Sequence, residues 1–473
     1  MVIRTRTALA VALVGAGACN WTSFDDLRDE VWVERVDKPN DSRLYGVAVG
    51  ALPVTPQTAA TAGANLVVLG RSSVSVSTLR YDQAGKRTTA TVAGTELLQG
   101  LQFDELPLKP AMAVDPTTRP DVEGRPQNHR IAFGGATGNN QAGQGFVAIM
   151  DGDDLRNLVA VPRILGQAGD NGEVARMRPT GLAFVDVPEA GGAGMTNGFP
   201  NRAELGDLVY ARGTQLGALL DYGDSTRVTT DYPECAQANT ADYDTATELV
   251  VADLDPAPGL EVAVGMGPLD GNQGVPTSEI RLYSLTALIQ SGSTITTPGA
   301  CGGQFGAPLA VPSFDAGYAM LGVKFDKDAA YSDLVYSAPS INTVYILLAG
   351  QPAPIQLTVP TTGSYFGYAL AAGDLDGDDY PELVVGAPRS DVDGTTDAGA
   401  VFIYKYDLTN RNFTLVDGTS ISPSSPSASE QFGKSVAVAP WGPAGGNILV
   451  VGAEGKVFTY FRTSLYDDVR TGR

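Results

Sequence analysis

Apolar and polar positions along this chain alternate in short bursts, and the bursts recur. Compact apolar runs that stop at Gly, Ala, Ser or Pro appear seven times. They are Leu66-Val67-Val68-Leu69-Gly70, Ile131-Ala132-Phe133-Gly134-Gly135, Leu208-Val209-Tyr210-Ala211, Glu261-Val262-Ala263-Val264-Gly265, Asp333-Leu334-Val335-Tyr336-Ser337-Ala338-Pro339, Glu382-Leu383-Val384-Val385-Gly386-Ala387-Pro388 and Ile448-Leu449-Val450-Val451-Gly452-Ala453. A continuous apolar run between turn residues predicts a strand buried on both faces, and period-two alternation predicts a half-buried one. No long segment keeps apolar residues at a 3.6-residue period, so helix is expected to be scarce.

The run ending at Gly386 shows the whole unit. Tyr365 to Leu370 leads into a polar turn, Asp374-Leu375-Asp376-Gly377-Asp378, and the buried-type run follows. Ala400 to Tyr404 offers a third strand and Asn412 to Val416 a fourth. Counted at Gly70, Gly134, Ala211, Gly265, Ser337, Gly386 and Gly452, successive units stand 64, 77, 54, 72, 49 and 66 residues apart. Four short strands with their turns fit such intervals, and one unit alone cannot bury both faces of its apolar strand. Stacking around an axis can. The expected fold is therefore all-β, a seven-bladed β-propeller of four-stranded antiparallel blades over residues 31–473, with two β-sandwich domains as the runner-up. Gly 56 and Pro 30 suit such a turn-rich chain. The last unit has three strands of its own, 434–439, 447–452 and 456–461. Closure is expected from the N-terminal strand Val31 to Val36, in preference to Ser464 to Val469.

Three carboxylates at alternate positions, Asp374, Asp376 and Asp378, converge in a tight turn and repel one another unless a cation neutralises them. Calcium takes six to eight hard oxygen ligands in flexible geometry, which this turn offers together with the Tyr380 carbonyl and Glu382. Asp379 stands where calcium turns favour Gly, so a strained turn or a left-handed backbone is expected there. Two further turns are poorer. Asp253, Asp255 and Glu261 lack an acid at Ala257; Asp326, Asp328 and Asp333 are one residue short, and Lys327 adds a positive charge among them.

Phe366-Gly367, the Asp374 turn and Gly386-Ala387-Pro388, in that order and separation, resemble the FG-GAP repeat of integrin α-subunit propellers. The resemblance covers about thirty residues closely and the other units loosely. It implies seven blades, calcium in the turn between first and second strands, and partner recognition on the opposite, loop-rich face.

The formal net charge of −21 argues against nucleic acid and against an acidic membrane surface. At the N-terminus, Arg4 and Arg6 precede an apolar stretch from Ala8 to Gly17 that is too short to span a bilayer. Ala16-Gly17-Ala18-Cys19 resembles a bacterial lipobox, which implies a signal peptide over 1–18, lipidation of Cys19 and a tether over 19–30. Ordinary cleavage after Ala18 is the alternative. The remaining cysteines, Cys235 and Cys301, form an even pair expected to bridge in an oxidising compartment, or else to remain two free thiols. His129 is the single histidine and is expected in a loop.

These features lead to an exported, lipid-anchored, calcium-binding module of the bacterial envelope, expected to be monomeric. It would recognise a protein or glycan partner, with the inserts Thr137 to Gln144, Glu189 to Arg202 and Leu269 to Ser278 as contact surfaces. A purely structural partner in a larger envelope complex is not separable from this. The competing reading is an envelope polysaccharide lyase or hydrolase. No nucleophile elbow, zinc triad or cysteine–histidine pair supports it.

Overall fold

The computed structural model describes residues 301–461 apart from 316, 360–362, 417–419 and 442–445. Earlier in the chain it describes 32–37, 48–52, 65–69, 76–81, 87–92, 111–119, 128–137, 144–151, 163–167, 179–186, 206–219, 235–236, 245–267 and 278–288. The expected signal peptide, Cys19, the tether, strand 464–469 and insert residues 138–143, 189–202 and 269–277 lie outside these.

Seven antiparallel sheets of four strands are present, each built in sequence order apart from the last. Sheets 1 to 6 occupy residues 48–92, 112–167, 179–236, 245–311, 320–358 and 369–415. Sheet 7 joins Ser435–Trp441, Gly446–Ala453 and Lys456–Phe461 to the N-terminal strand Trp32–Asp37. Trp32 pairs with Phe461 and Asp37 with Lys456, so the two ends of the chain share one sheet, as the isolated strand near the N-terminus suggested. The first strand of each sheet lies against the first strand of the next, and that of sheet 7 lies against that of sheet 1.

In sheets 5 and 6 burial peaks at the second strand and is least at the fourth, and the sequence pattern follows it. All seven apolar runs are second strands; Glu382–Ala387 and Asp333–Ala338 are buried at every position. A strand packed on both faces by neighbouring sheets needs apolar residues throughout, which is why these runs do not alternate. The third strand of sheet 6, Ala400–Asp407, alternates burial, and the fourth, Asn412–Leu415, is mostly open. Apolar clusters straddle adjacent sheets. One joins Val335, Val344 and Ile346 of sheet 5 to Phe366, Leu383 and Tyr404 of sheet 6, and the next joins Val384 and Ile403 to Phe432, Leu449 and Phe458. No sheet could bury these faces alone.

Helix is scarce among the described residues: a single turn at Pro339–Ile341 and four residues at 285–288. His129 is a correction. It lies in the second strand of sheet 2, Asn128–Thr137, and is buried, because that strand begins three residues before its apolar run.

Candidate metal centre

The turn between the first two strands of sheet 6 folds around its own carboxylates. Asp374 Oδ1 accepts the amide N–H of Gly377 at 2.5 Å and of Asp378 at 3.2 Å, while Oδ2 accepts that of Asp379 at 2.9 Å. Asp376 Oδ1 accepts from the Asp378 amide at 3.1 Å, and Asp378 Oδ1 from the Tyr380 amide at 2.9 Å. Asp379 takes φ 68°, the left-handed geometry expected where Gly is usual. Next door, Asn447 of sheet 7 donates its side-chain amide to the Asp374 carbonyl at 2.7 Å, pinning the turn to the following sheet.

Oxygens of Asp374, Asp376 and Glu382 lie within 4.8 Å of one another, the only such His/Cys/Asp/Glu group among the described residues. Glu382 is fully buried. Its Oε2 accepts the Leu375 amide at 2.7 Å, but its Oε1 has no hydrogen-bond partner. Burial, reinforced by Asp376, pushes the Glu382 carboxyl up to about 8. An orphaned buried carboxylate oxygen is costly, and a cation placed among hard oxygens relieves it. The donor set therefore fits calcium.

Asp378, expected as a third loop ligand, is not in that group of three but joins it through Lys405. Its Oδ2 accepts from Lys405 Nζ at 2.6 Å, and the same ammonium bonds Asp376 Oδ2 and stands 4.0 Å from Glu382 Oε1. Sequence reasoning missed Lys405, which is 29 positions from Asp376. Strand pairing brings it in: Tyr404 pairs with Leu383, so Lys405 emerges beside Glu382. Tyr380 enters through its amide and through its ring, which lies 4.3 Å under Lys327 Nζ. Lys327 also reaches Asp379 at 3.8 Å, so its charge serves the turn of sheet 6 and not its own turn.

The poorer turns keep part of this geometry. In sheet 4, Glu261 Oε2 accepts the Leu254 amide at 2.7 Å, matching Glu382, and the Asp253 carbonyl accepts the Ser332 amide of sheet 5 at 2.6 Å. Burial, then the neighbouring Asp255 and Asp253, raise the Glu261 carboxyl, against the Leu254 amide. In sheet 5, Asp333 Oδ2 accepts from Phe325 N at 3.0 Å and Oδ1 from Ala349 N at 2.7 Å, so backbone donors already engage both oxygens. Neither Asp253, Asp255 and Glu261 nor Asp326, Asp328 and Asp333 gathers as the sheet 6 residues do.

Phe366-Gly367 forms the clip on the other end of the blade. Gly367 takes φ 93° and donates its N–H to the Gly386 carbonyl at 3.0 Å. Phe366 is buried edge-on against Phe402, ring centroids 5.4 Å apart. Phe432-Gly433 repeats this in sheet 7, unnoticed from the sequence: Gly433 at φ 87° bonds Gly452, and Phe432 meets Phe458 at 5.2 Å. The signal was there, since Phe-Gly stands before Gly452-Ala453 as it does before Gly386-Ala387.

Residues 366–404 match the FG-GAP repeat family. The chain carries an FG-GAP repeat. Integrin alpha-PS2 of Drosophila melanogaster is 32% identical over 95 residues, 18% of this chain and 7% of that protein. This chain therefore spans only a small part of its relative's length. Among solved structures, a candidate 6-phosphogluconolactonase from Bacteroides fragilis covers 84% of this chain and 89% of its own at 12% identity and TM-score 0.41. An arginine-to-alanine triple mutant of AofleA from Arthrobotrys oligospora covers 83% and 91% at 12% identity and TM-score 0.39. The FG-GAP repeat ends one residue short of Lys405. Among the described residues, no helix is long and apolar enough to cross a membrane.

Proposed function

We propose that this chain is a closed seven-bladed propeller that binds calcium in its FG-GAP repeat and serves as a binding or scaffolding module on a bacterial envelope. The observation that carries the calcium reading is the orphaned Oε1 of fully buried Glu382, facing Asp374 and Asp376. Asp374, Asp376, Asp378, the Tyr380 carbonyl and Glu382 would hold the ion. Calcium supplies charge neutralisation there, which stiffens one turn of one blade. The cyclic contact of first strands and the strand shared by both chain ends support closure. A lipid at Cys19 would anchor the module, and a Cys235–Cys301 bridge would tie sheet 3 to sheet 4. Its partner is a protein or glycan, the class the integrin resemblance points to.

First strands differ in what they carry: Met320–Val323 and Ala369–Gly373 are small and apolar, whereas Met112–Arg119 holds buried Asp115 and Thr245–Ala252 holds Glu248. The FG-GAP repeat is what favours a module over an enzyme.

The test is a calcium titration of the chain from residue 20 onward, following melting temperature beside an Asp376→Ala, Asp378→Ala double variant. With a dissociation constant of roughly 10⁻⁴–10⁻³ M, as in extracellular modules, about 10 mM calcium should stabilise by ~1.5–3 kcal/mol. The double variant should lose that rise. A flat wild-type curve removes calcium from the function.

A further inference from the structure

The ammonium of Lys405 lies inside the carboxylate group it would share with the ion. It bonds Asp376 Oδ2 and Asp378 Oδ2 and approaches Glu382 Oε1 at 4.0 Å. The two poorer turns have no counterpart at this place. Ser284 pairs with Glu261 in sheet 4; in sheet 5, Leu334 pairs with Leu347, which leaves Leu348 beside Asp333. Of these three turns, only that of sheet 6, which has the full carboxylate set, has a lysine opposite its buried acid.

We propose that Lys405 is a tethered counter-cation: its ammonium holds the Asp374 to Glu382 turn closed when no metal is bound, and it competes with the divalent ion for Asp376 and Asp378. This rests on the calcium reading above. Two like charges cannot share one carboxylate pair a few ångströms wide, so the ion must displace the ammonium before it can take both acids. The side chain is 36% exposed and so has a route out to solvent. The consequence is a blade folded with or without metal, and a calcium threshold set higher than its ligands alone would set it. Calcium arrival would then switch Lys405 from a half-exposed ion-pair partner to a free surface cation, changing the charge displayed on that edge of sheet 6.

Calorimetric calcium titrations of wild type, Lys405→Met and Lys327→Met test this, each paired with a melting curve in chelator. Lys327 is the control, because it also sits beside the turn, 3.8 Å from Asp379, without entering the carboxylate group. Lys405→Met should bind calcium at least about tenfold more tightly while melting lower in chelator; Lys327→Met should stay within about threefold of wild type. Lys405→Gln, which keeps a donor without the charge, replaces the Met variant if that one does not fold. Equal calcium affinity in wild type and Lys405→Met overturns the counter-cation and leaves the calcium site standing. Equal tightening by Lys327→Met also overturns it, since general charge removal then suffices. If no form binds at about 10 mM calcium, the site itself fails and the counter-cation with it.

Discussion

The turns 253–261 and 374–382 occupy the same place in sheets 4 and 6, and they share more than their position. In both, the closing glutamate accepts the amide that follows the first aspartate, at 2.7 Å in each case. The first aspartate's carbonyl is held by the next sheet in both, through Ser332 in one and Asn447 in the other. They part at the middle of the turn. Ala257 stands in sheet 4 where Asp378 stands in sheet 6, and Ser284 stands where Lys405 stands. The glutamate and carbonyl contacts thus recur with and without the extra carboxylate. The extra carboxylate and the ammonium go together, because charge added to a half-buried turn has to be balanced.

The comparison breaks most forcefully at the glutamates. The folded metal-free protein holds Glu382 protonated up to about pH 8, against an ordinary value of 4.5. Between those limits the folded state binds the proton and the unfolded state does not. This group's contribution to stability therefore falls as pH rises from 4.5 to 8. Glu382→Gln should remove that slope and stabilise the metal-free protein at pH 8 by on the order of a few kcal/mol. It should also abolish the calcium response. Glu261→Gln should act in the same direction and more weakly. Chemical denaturation in chelator at pH 5 and pH 8 reads both, and equal slopes for the two variants would erase the distinction.

A smaller effect comes from restoring the missing acid. Ala257→Asp, placed in the Asp376→Ala, Asp378→Ala background, should bring back a calcium-dependent rise of ~1–2 kcal/mol at about 10 mM calcium. No rise would mean that the turn of sheet 4 lacks more than one ligand. The smallest effect is expected at the pin. Asn447→Ala removes one hydrogen bond to the Asp374 carbonyl and should cost about 0.5–1.5 kcal/mol in a denaturation midpoint, with calcium affinity falling slightly as the turn loosens.

Much of this was legible beforehand because it is local. An uninterrupted apolar run means a strand covered on both faces, and all seven runs became second strands. Asp374, Asp376 and Glu382 lie within 4.8 Å of one another, but Asp253, Asp255 and Glu261 at the same spacing do not, so alternate carboxylates alone do not decide the gathering. His129 was misplaced because a lone histidine beside an apolar run carries no periodic signal of its own. Phe432-Gly433 was overlooked because the turn that follows it has no carboxylates, although the clip needs none.

Asp378 and Lys405 are of another kind. Nothing in the turn's own residues says that Asp378 will face an ammonium, since its partner lies 27 positions on and arrives only through the pairing of Leu383 with Tyr404. Lys327, read as a competitor in its own turn, serves the turn of the adjacent sheet for the same reason. Strand identity and repeat count follow from spacing along the chain, because backbone periodicity acts over a few residues. Which charges meet across strands and between sheets depends on register and packing, and those interactions are long-range in sequence.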